Sequence, residues 1–322
     1  MKKLMLTLLG LILIALLLWQ SDFREITSSL ASVSKDMLLF ACFLQIITIY
    51  LICLQWQLIA KKMGCIIPFK NIFHINMAGT FVESVTPAAK AGGEAAKVVL
   101  LKPHLNNSTS QALALVGLQK TISMVCFLFL CIVSLSWFLL TFSDFGTESV
   151  ALIIGLLFII AFVALLGAFI KKPMLIHSLV AYLPVKESFK DRICTSMTTI
   201  DATIKSALKD KYVLTSQLIL STFIWLFFAV KSYYIALSLQ VDIGFIAIAV
   251  ITYLTYMVAM VPITPGGLGT FEGSMVLLLA PLGVALHEAL LLALIIRFVT
   301  FWFVFAVSAL YLGGQQLLKS FD

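Results

Sequence analysis

Charge is what this sequence lacks first: Asp, Glu, Lys and Arg make up 11% of its 322 residues, where a soluble domain carries about 25%. With 61% hydrophobic residues and a mean hydropathy of +1.09, that scarcity excludes a water-solvated globule as the bulk of the chain. Cysteine lacks pattern: the six, Cys42, Cys53, Cys65, Cys126, Cys131 and Cys194, have neither the spacing of a disulfide framework nor that of a metal site. No phosphate-cradling loop, dinucleotide fingerprint or nucleophile motif is present, so nothing points to an enzyme or to a cofactor. Strict apolar–polar alternation is missing too, which excludes a transmembrane barrel. Long apolar runs such as 4–19 and 151–170 stand in its place. Lipid cannot satisfy backbone N–H and C=O groups, so such runs must span as helices.

The net charge of +7 is placed between the apolar runs, which fits the positive-inside bias of a membrane protein rather than nucleic-acid binding. Hydropathy predicts full spans at about 4–20, 36–60, 109–141, 148–170, 212–237 and 285–312, each long enough for a hydrocarbon core about 30 Å thick. Lys2 and Lys3 precede the first run, but Leu18-Trp19-Gln20 offers no small-residue cleavage site, so a retained span is expected rather than a signal peptide.

Two apolar regions, 66–101 and 244–281, are interrupted in the middle, the first by Thr86-Pro87 and Gly92-Gly93 and the second by Pro262 to Gly269. Pro removes a backbone donor and Gly loosens the turn, so each region is expected to be two half-helices around a break. Residues 82–101 set above 260–279 without a gap share Thr-Pro followed by Glu seven residues after the Pro. The offset, 264 − 86 = 178, also superposes the span at 36–60 on the one at 212–237. An internal duplication is implied, with repeat one at about 36–141 and repeat two at about 212–318.

Charge orients the copies. Lys61 and Lys62 follow the span 36–60, whereas Gln240-Val241-Asp242-Ile243, after 212–237, has no base. The connecting segment at about 171–211 holds eight bases against four acids and is expected in the cytosol, while the loop at 141–148, with Asp144 and Glu148, faces out. The expected fold is therefore an all-α integral membrane protein of one transmembrane domain over 1–322, an inverted repeat with about six full spans and two re-entrant helical hairpins. It is expected in the cytoplasmic membrane, multi-pass, with both termini cytosolic.

Ionisable groups at membrane depth are the sharpest functional signal, since each costs about 2.5–3.5 kcal/mol at the bilayer centre unless paired or hydrated. They are Glu83, Lys90, Glu94, Lys97, Lys120, Lys231, Glu272 and Arg297. Lys97 and Lys120 could instead snorkel to the cytosolic surface. His74 reads as a packed polar residue. Glu94 and Glu272 fall in the first turn of a returning half-helix, where the helix dipole favours a negative charge, so one reading makes them structural caps. In the other, two half-helix N-termini near the midplane suit a phosphate or carboxylate, as in transporters built from inverted repeats. Five bases against three acids make such a cavity net cationic and an anionic head group the expected cargo. The candidate substrate-binding residues are Thr86, Pro87, Lys90, Gly92, Gly93, Glu94, Lys97, Thr264, Pro265, Gly266, Gly267, Gly269, Glu272 and Arg297.

The segments T-P-A-A-K-A-G-G-E (Thr86 to Glu94) and P-I-T-P-G-G-L-G-T-F-E (Pro262 to Glu272), followed by Arg297, resemble the transmembrane region of lysylphosphatidylglycerol synthases and the wider flippase-like family it defines. The resemblance covers nearly the whole chain and implies a membrane domain that handles lipids, a region proposed in the synthases to move the modified lipid between leaflets. Glu83 departs from the small polar residue, such as Asn, of the family pattern. The synthases carry a soluble aminoacyl-transferase domain after this region, without counterpart through Asp322, so lysyl transfer by this chain alone is not expected. The resemblance implies membrane lipids as partners, with a second copy of the chain or a lipid-modifying transferase as further candidates. The rival reading of the residues is an ion- or proton-coupled transporter of a small soluble anion.

Overall fold

The computed structural model describes residues 33–86, 91–106, 108–142, 211–260 and 264–321, and all its regular structure is helical. Helix α1, Lys35–Lys62, starts where Ser34 accepts a hydrogen bond from the Met37 N–H at 3.1 Å. Asp36 in its first turn and Lys61 and Lys62 in its last suit the helix dipole. Helix α2, Phe69–Val85, begins after Pro68 and ends at Thr86, which is extended at φ −100° and ψ 131°. A residue preceding a proline is held in that region, and Pro87 follows. Helix α3, Ala91–Leu101, returns from the break, and a 3₁₀ turn over Lys102–His104 leads to α4, Thr109–Thr141, capped by Ser108 through the Gln111 N–H at 3.2 Å.

The second half repeats the order. Helix α5 is Lys211–Ser238, α6 is Phe245–Ala259, α7 is Thr270–Leu279, and a 3₁₀ turn over Ala280–Leu282 precedes α8, Leu286–Arg297. A π-helical turn, Phe298–Trp302, joins α8 to α9, Phe303–Phe321. The two 3₁₀ turns lie 280 − 102 = 178 residues apart, the offset between the two Thr-Pro pairs. Each carries a proline at its second position, Pro103 and Pro281, a further match between the two halves.

Among the described residues, four stretches are long and apolar enough to cross a membrane: Lys35–Lys62, Thr109–Thr141, Leu214–Ser238 and Leu286–Leu317. They coincide with four of the six expected spans. The other two, 4–20 and 148–170, lie outside the described residues, as does nearly all of the connecting segment 171–211. Both interrupted regions form a helix, a break and a second helix packed on the first, α2 with α3 and α6 with α7.

The buried apolar side chains form three clusters. Ile49, Trp56, Ile72, Met77, Leu101 and Leu115 pack among α1 to α4. Ile235, Ile248, Phe271, Met275 and Leu290 pack among α5 to α8, joined by Met37 and Ala41 from the start of α1. Phe127, Phe138, Trp225 and Met257 fill the space between α4, α5 and α6. The outer surface is apolar as well: Leu39, Phe129, Leu140 and Leu310 are all more than 60% exposed. In water such a surface would be a liability; on a spanning helix it faces acyl chains.

Candidate functional site

Glu94 stands in the first turn of α3, just past the first break, because Gly92 and Gly93 let the returning helix lie close against α2. A Cβ added to Gly93 would stand 2.6 Å from the Gly79 carbonyl oxygen and 2.7 Å from Glu83 Cβ. One carboxylate oxygen, Glu94 Oε1, meets two ammonium groups, Lys97 Nζ at 3.4 Å and Lys120 Nζ at 3.3 Å. Lys97 is one turn along α3, its stem over Gly79 and its Nζ 5.3 Å from the Trp56 ring centroid. Lys120 comes from α4. The side chains of Lys97, Glu94 and Lys120 are 9%, 20% and 41% exposed, so the cluster opens outward from Lys97 to Lys120. Two bases against one acid leave these three residues net positive. The second oxygen, Glu94 Oε2, has no hydrogen-bond partner among the described residues.

The second break is built differently. Gly266, Gly267 and Gly269 have φ of 64°, 71° and 77°, a left-handed backbone that L side chains rarely adopt. This turn brings the Gly269 N–H to donate to Glu272 Oε2 at 2.7 Å, so the acid caps its own helix, α7. Thr270 Oγ1 donates to the Gly267 carbonyl at 3.1 Å and lies 3.4 Å from Thr264 Oγ1. Arg297, at the end of α8, has Nε 3.8 Å from Glu272 Oε1 and donates through a terminal nitrogen to the Gly266 carbonyl. Its guanidinium lies between the rings of Phe271 and Phe301, with centroids 5.2 and 4.5 Å away. Glu272 is 1% exposed at its side chain and Arg297 7%, so this pair is closed and charge-balanced.

The structure thus gathers Glu94 and Lys97 at one break, with Thr86, Gly92 and Gly93 lining it. At the other it gathers Thr264, Gly266, Gly267, Gly269, Glu272 and Arg297. Pro87 and Lys90 lie outside the described residues, and Pro265 stands in the turn beside Gly266. Lys120 was missed as a site residue. Its signal was present as a base at membrane depth, but a sequence cannot say that α4 crosses α3 at Glu94. His74 packs beside Tyr311, ring centroids 5.9 Å apart.

The family model described as the lysylphosphatidylglycerol synthase TM region matches residues 6–308. A UPF0104 membrane protein of Methanothermobacter thermautotrophicus is 23% identical over 334 residues, covering 100% of this chain and 98% of its own length. Another, of Pyrococcus horikoshii, is 25% identical over 336 residues, covering 99% of this chain and 98% of its own length. A third, of Methanocaldococcus jannaschii, is 22% identical over 306 residues, 93% of this chain and 91% of its own.

Proposed function

The chain belongs to the family of the lysylphosphatidylglycerol synthase transmembrane region, and on that premise we propose that it moves a lipid with an anionic head group between the leaflets of the cytoplasmic membrane. The first break receives the head group. The observation that carries this reading is the pairing of Lys97 and Lys120 with a single carboxylate oxygen, at 3.4 and 3.3 Å. One acid balances only one of them, and Lys120 has an open side. A phosphate entering there takes the place of Glu94 as the partner of Lys120, and charge-assisted hydrogen bonds to phosphate are the strong kind. The closed pair of Glu272 and Arg297 then serves as the fixed counterpart on which α7 and α8 are braced.

The architecture proposed with this function is the inverted repeat: 36–141 and 212–318 as oppositely oriented copies, two re-entrant hairpins, a cytosolic connecting segment over 171–211, six full spans and both termini in the cytosol. It is supported by the recurrence of helix, break, helix and 3₁₀ turn at one offset, and by bases at Lys61 and Lys62 where the other copy has Asp242. Inverted repeats with breaks at the midplane are a recurrent transporter build.

The test is reconstitution in vesicles with fluorescently labelled phosphatidylglycerol and, separately, labelled phosphatidylcholine. Faster leaflet exchange of the anionic lipid than of the zwitterionic one, slowed by Lys120→Gln, is expected. Exchange equal to that of protein-free vesicles for both lipids overturns the reading.

A further inference from the structure

Lys231 takes no part in either break, yet it is among the most deeply buried large side chains of the described residues, 1% exposed. It lies on α5, on which α1, α4, α6 and α8 pack. Phe40 meets Tyr234 with ring centroids 4.9 Å apart, and Gln45 and Thr48 meet Lys231, so α1 and α5 run antiparallel with Lys231 in their contact. Its Nζ donates to Gln45 Oε1 and to Thr48 Oγ1, the latter at 3.0 Å, and stands 4.2 Å from the Phe228 ring centroid.

No carboxylate lies within ion-pair distance of Lys231 among the described residues, and the other titratable groups around α5 are engaged elsewhere or distant. On α1, Cys53 Sγ accepts from Asn76 at 3.2 Å, Cys42 lies in the apolar cluster around Ile235, and Lys35, Asp36, Lys61 and Lys62 stand at the helix ends. On α4, Lys120 pairs with Glu94, Cys126 Sγ contacts the Leu218 carbonyl at 3.4 Å, and Cys131 Sγ contacts the Tyr253 carbonyl at 3.8 Å. On α6, Tyr253 donates to the Trp225 carbonyl at 3.3 Å, and the Tyr256 ring packs edge-on to Phe228 at 5.2 Å. On α8, Arg297 is held by Glu272, and His287 and Glu288 lie in the first turn. On α5 itself, Tyr233 packs against Phe245, Tyr234 against Phe40, and Lys211 and Tyr212 are exposed at its start.

The partners of Lys231 fit both of its protonation states. An ammonium has three N–H donors, and the two oxygens and the electron-rich face of Phe228 give each of them a destination. An amine has two N–H donors, which the same two oxygens satisfy, and without a carboxylate nothing else demands the charge. Burying an ammonium without a counter-ion is costly, whereas the amine is at no such disadvantage.

We propose that Lys231 is a proton-binding site set between the long helices α1 and α5, whose occupancy decides how firmly the two are joined. The proton leaves to bulk water when the contact opens, the N–H electron pair staying on nitrogen, and returns from hydronium. With the proton in place, the cation–π contact and two charge-assisted hydrogen bonds tie α5 to α1; without it, two neutral hydrogen bonds remain. This inference goes beyond the lipid reading and needs no transported lipid.

The experiment is nitrogen NMR of the full chain, labelled with 15Nζ-lysine and placed in lipid nanodiscs, recorded as a pH titration. Lys231→Met identifies the resonance by its loss. Should that variant fail to fold, Thr48→Val identifies it by a shift, because one acceptor is removed. The Lys231 signal is expected to pass between the ammonium and amine positions at a pH of its own, apart from the exposed lysines. A Lys231 signal fixed at either position throughout overturns the proposal.

Discussion

Glu94 and Lys120 are 26 residues apart in sequence, and their side chains meet at 3.3 Å, which ties the start of the returning half-helix α3 to the long helix that follows it. Glu272 and Arg297 do the same for α7 and α8 at 3.8 Å. The acids are separated by the offset of 178, whereas Arg297 corresponds at that offset to Gln119, the neighbour of Lys120. Gln119 instead donates to Gln55 on α1 at 3.0 Å. One half therefore places its base a residue later than the other, which swings the cation from a sealed pocket to a partly open one.

That difference makes the first cluster the sensitive one for the proposed lipid exchange. Glu94→Gln preserves shape but leaves Lys97 and Lys120 facing each other without an anion. Lys120→Gln removes the exposed cation. Exchange of labelled phosphatidylglycerol in vesicles is expected to fall at least about tenfold in each, equivalent to about 1.4 kcal/mol. Helical content by circular dichroism is expected to stay unchanged. Near-normal exchange in both variants would return Glu94 to the role of a helix cap.

The close approach of α2 and α3 gives a test of stability. Gly93→Ala forces the backbone apart, since the new Cβ would stand 2.6 Å from the Gly79 carbonyl oxygen; overpacking of this kind costs about 1–3 kcal/mol. Gly117→Ala is the control, because nothing lies within 4 Å of a Cβ there. A lower thermal midpoint in detergent is expected for Gly93→Ala and an equal or higher one for Gly117→Ala. Equal midpoints would show that the contact relaxes without cost.

Much of the fold was legible because apolar length and breaking residues act locally. The span expected at 36–60 is the helix Lys35–Lys62, the one at 109–141 is Thr109–Thr141, and Thr86 ends its helix because Pro87 follows. What stayed hidden depends on crossings. The meeting of Lys120 with Glu94, the burial of Lys231 against Gln45, and the sandwich of Arg297 between Phe271 and Phe301 are set by how helices pack. The π-helical turn at Phe298–Trp302 was hidden for another reason. It leaves hydropathy unchanged while shifting the face of every residue after Arg297.

The proposed orientation of the two halves predicts a labelling pattern. Single cysteines at Asp144 and Asp242 should react with a membrane-impermeant thiol reagent added outside intact cells, and those at Lys171 and Lys205 only after the membrane is opened. Asp242 is exposed at the turn between α5 and α6, so poor access would not explain a negative result there. Equal labelling of the Asp242 and Lys205 positions would remove the inverted arrangement.

Glu272 and Arg297 should matter to folding more than Glu94 does, and the reason is burial. Removing one partner of a buried ion pair costs about 3–5 kcal/mol, because the other charge is left uncompensated, and the cost falls toward about 0–1 kcal/mol as water reaches the pair, as it does at Lys120, 41% exposed. Glu272→Gln keeps an oxygen to accept from the Gly269 N–H, so the cap survives while Arg297, 7% exposed at its side chain, loses its anion. Arg297→Lys keeps the charge but gives up the planar fit between Phe271 and Phe301 and the bond to the Gly266 carbonyl. Both changes should lower the thermal midpoint further than Glu94→Gln does, whose carboxylate is 20% exposed beside a half-open lysine. Glu272→Gln combined with Arg297→Met should cost less than the two single changes added, since neither charge is then stranded. Strict additivity, or a larger loss from Glu94→Gln than from Glu272→Gln, would mean that the 3.8 Å pair does not brace α7 against α8.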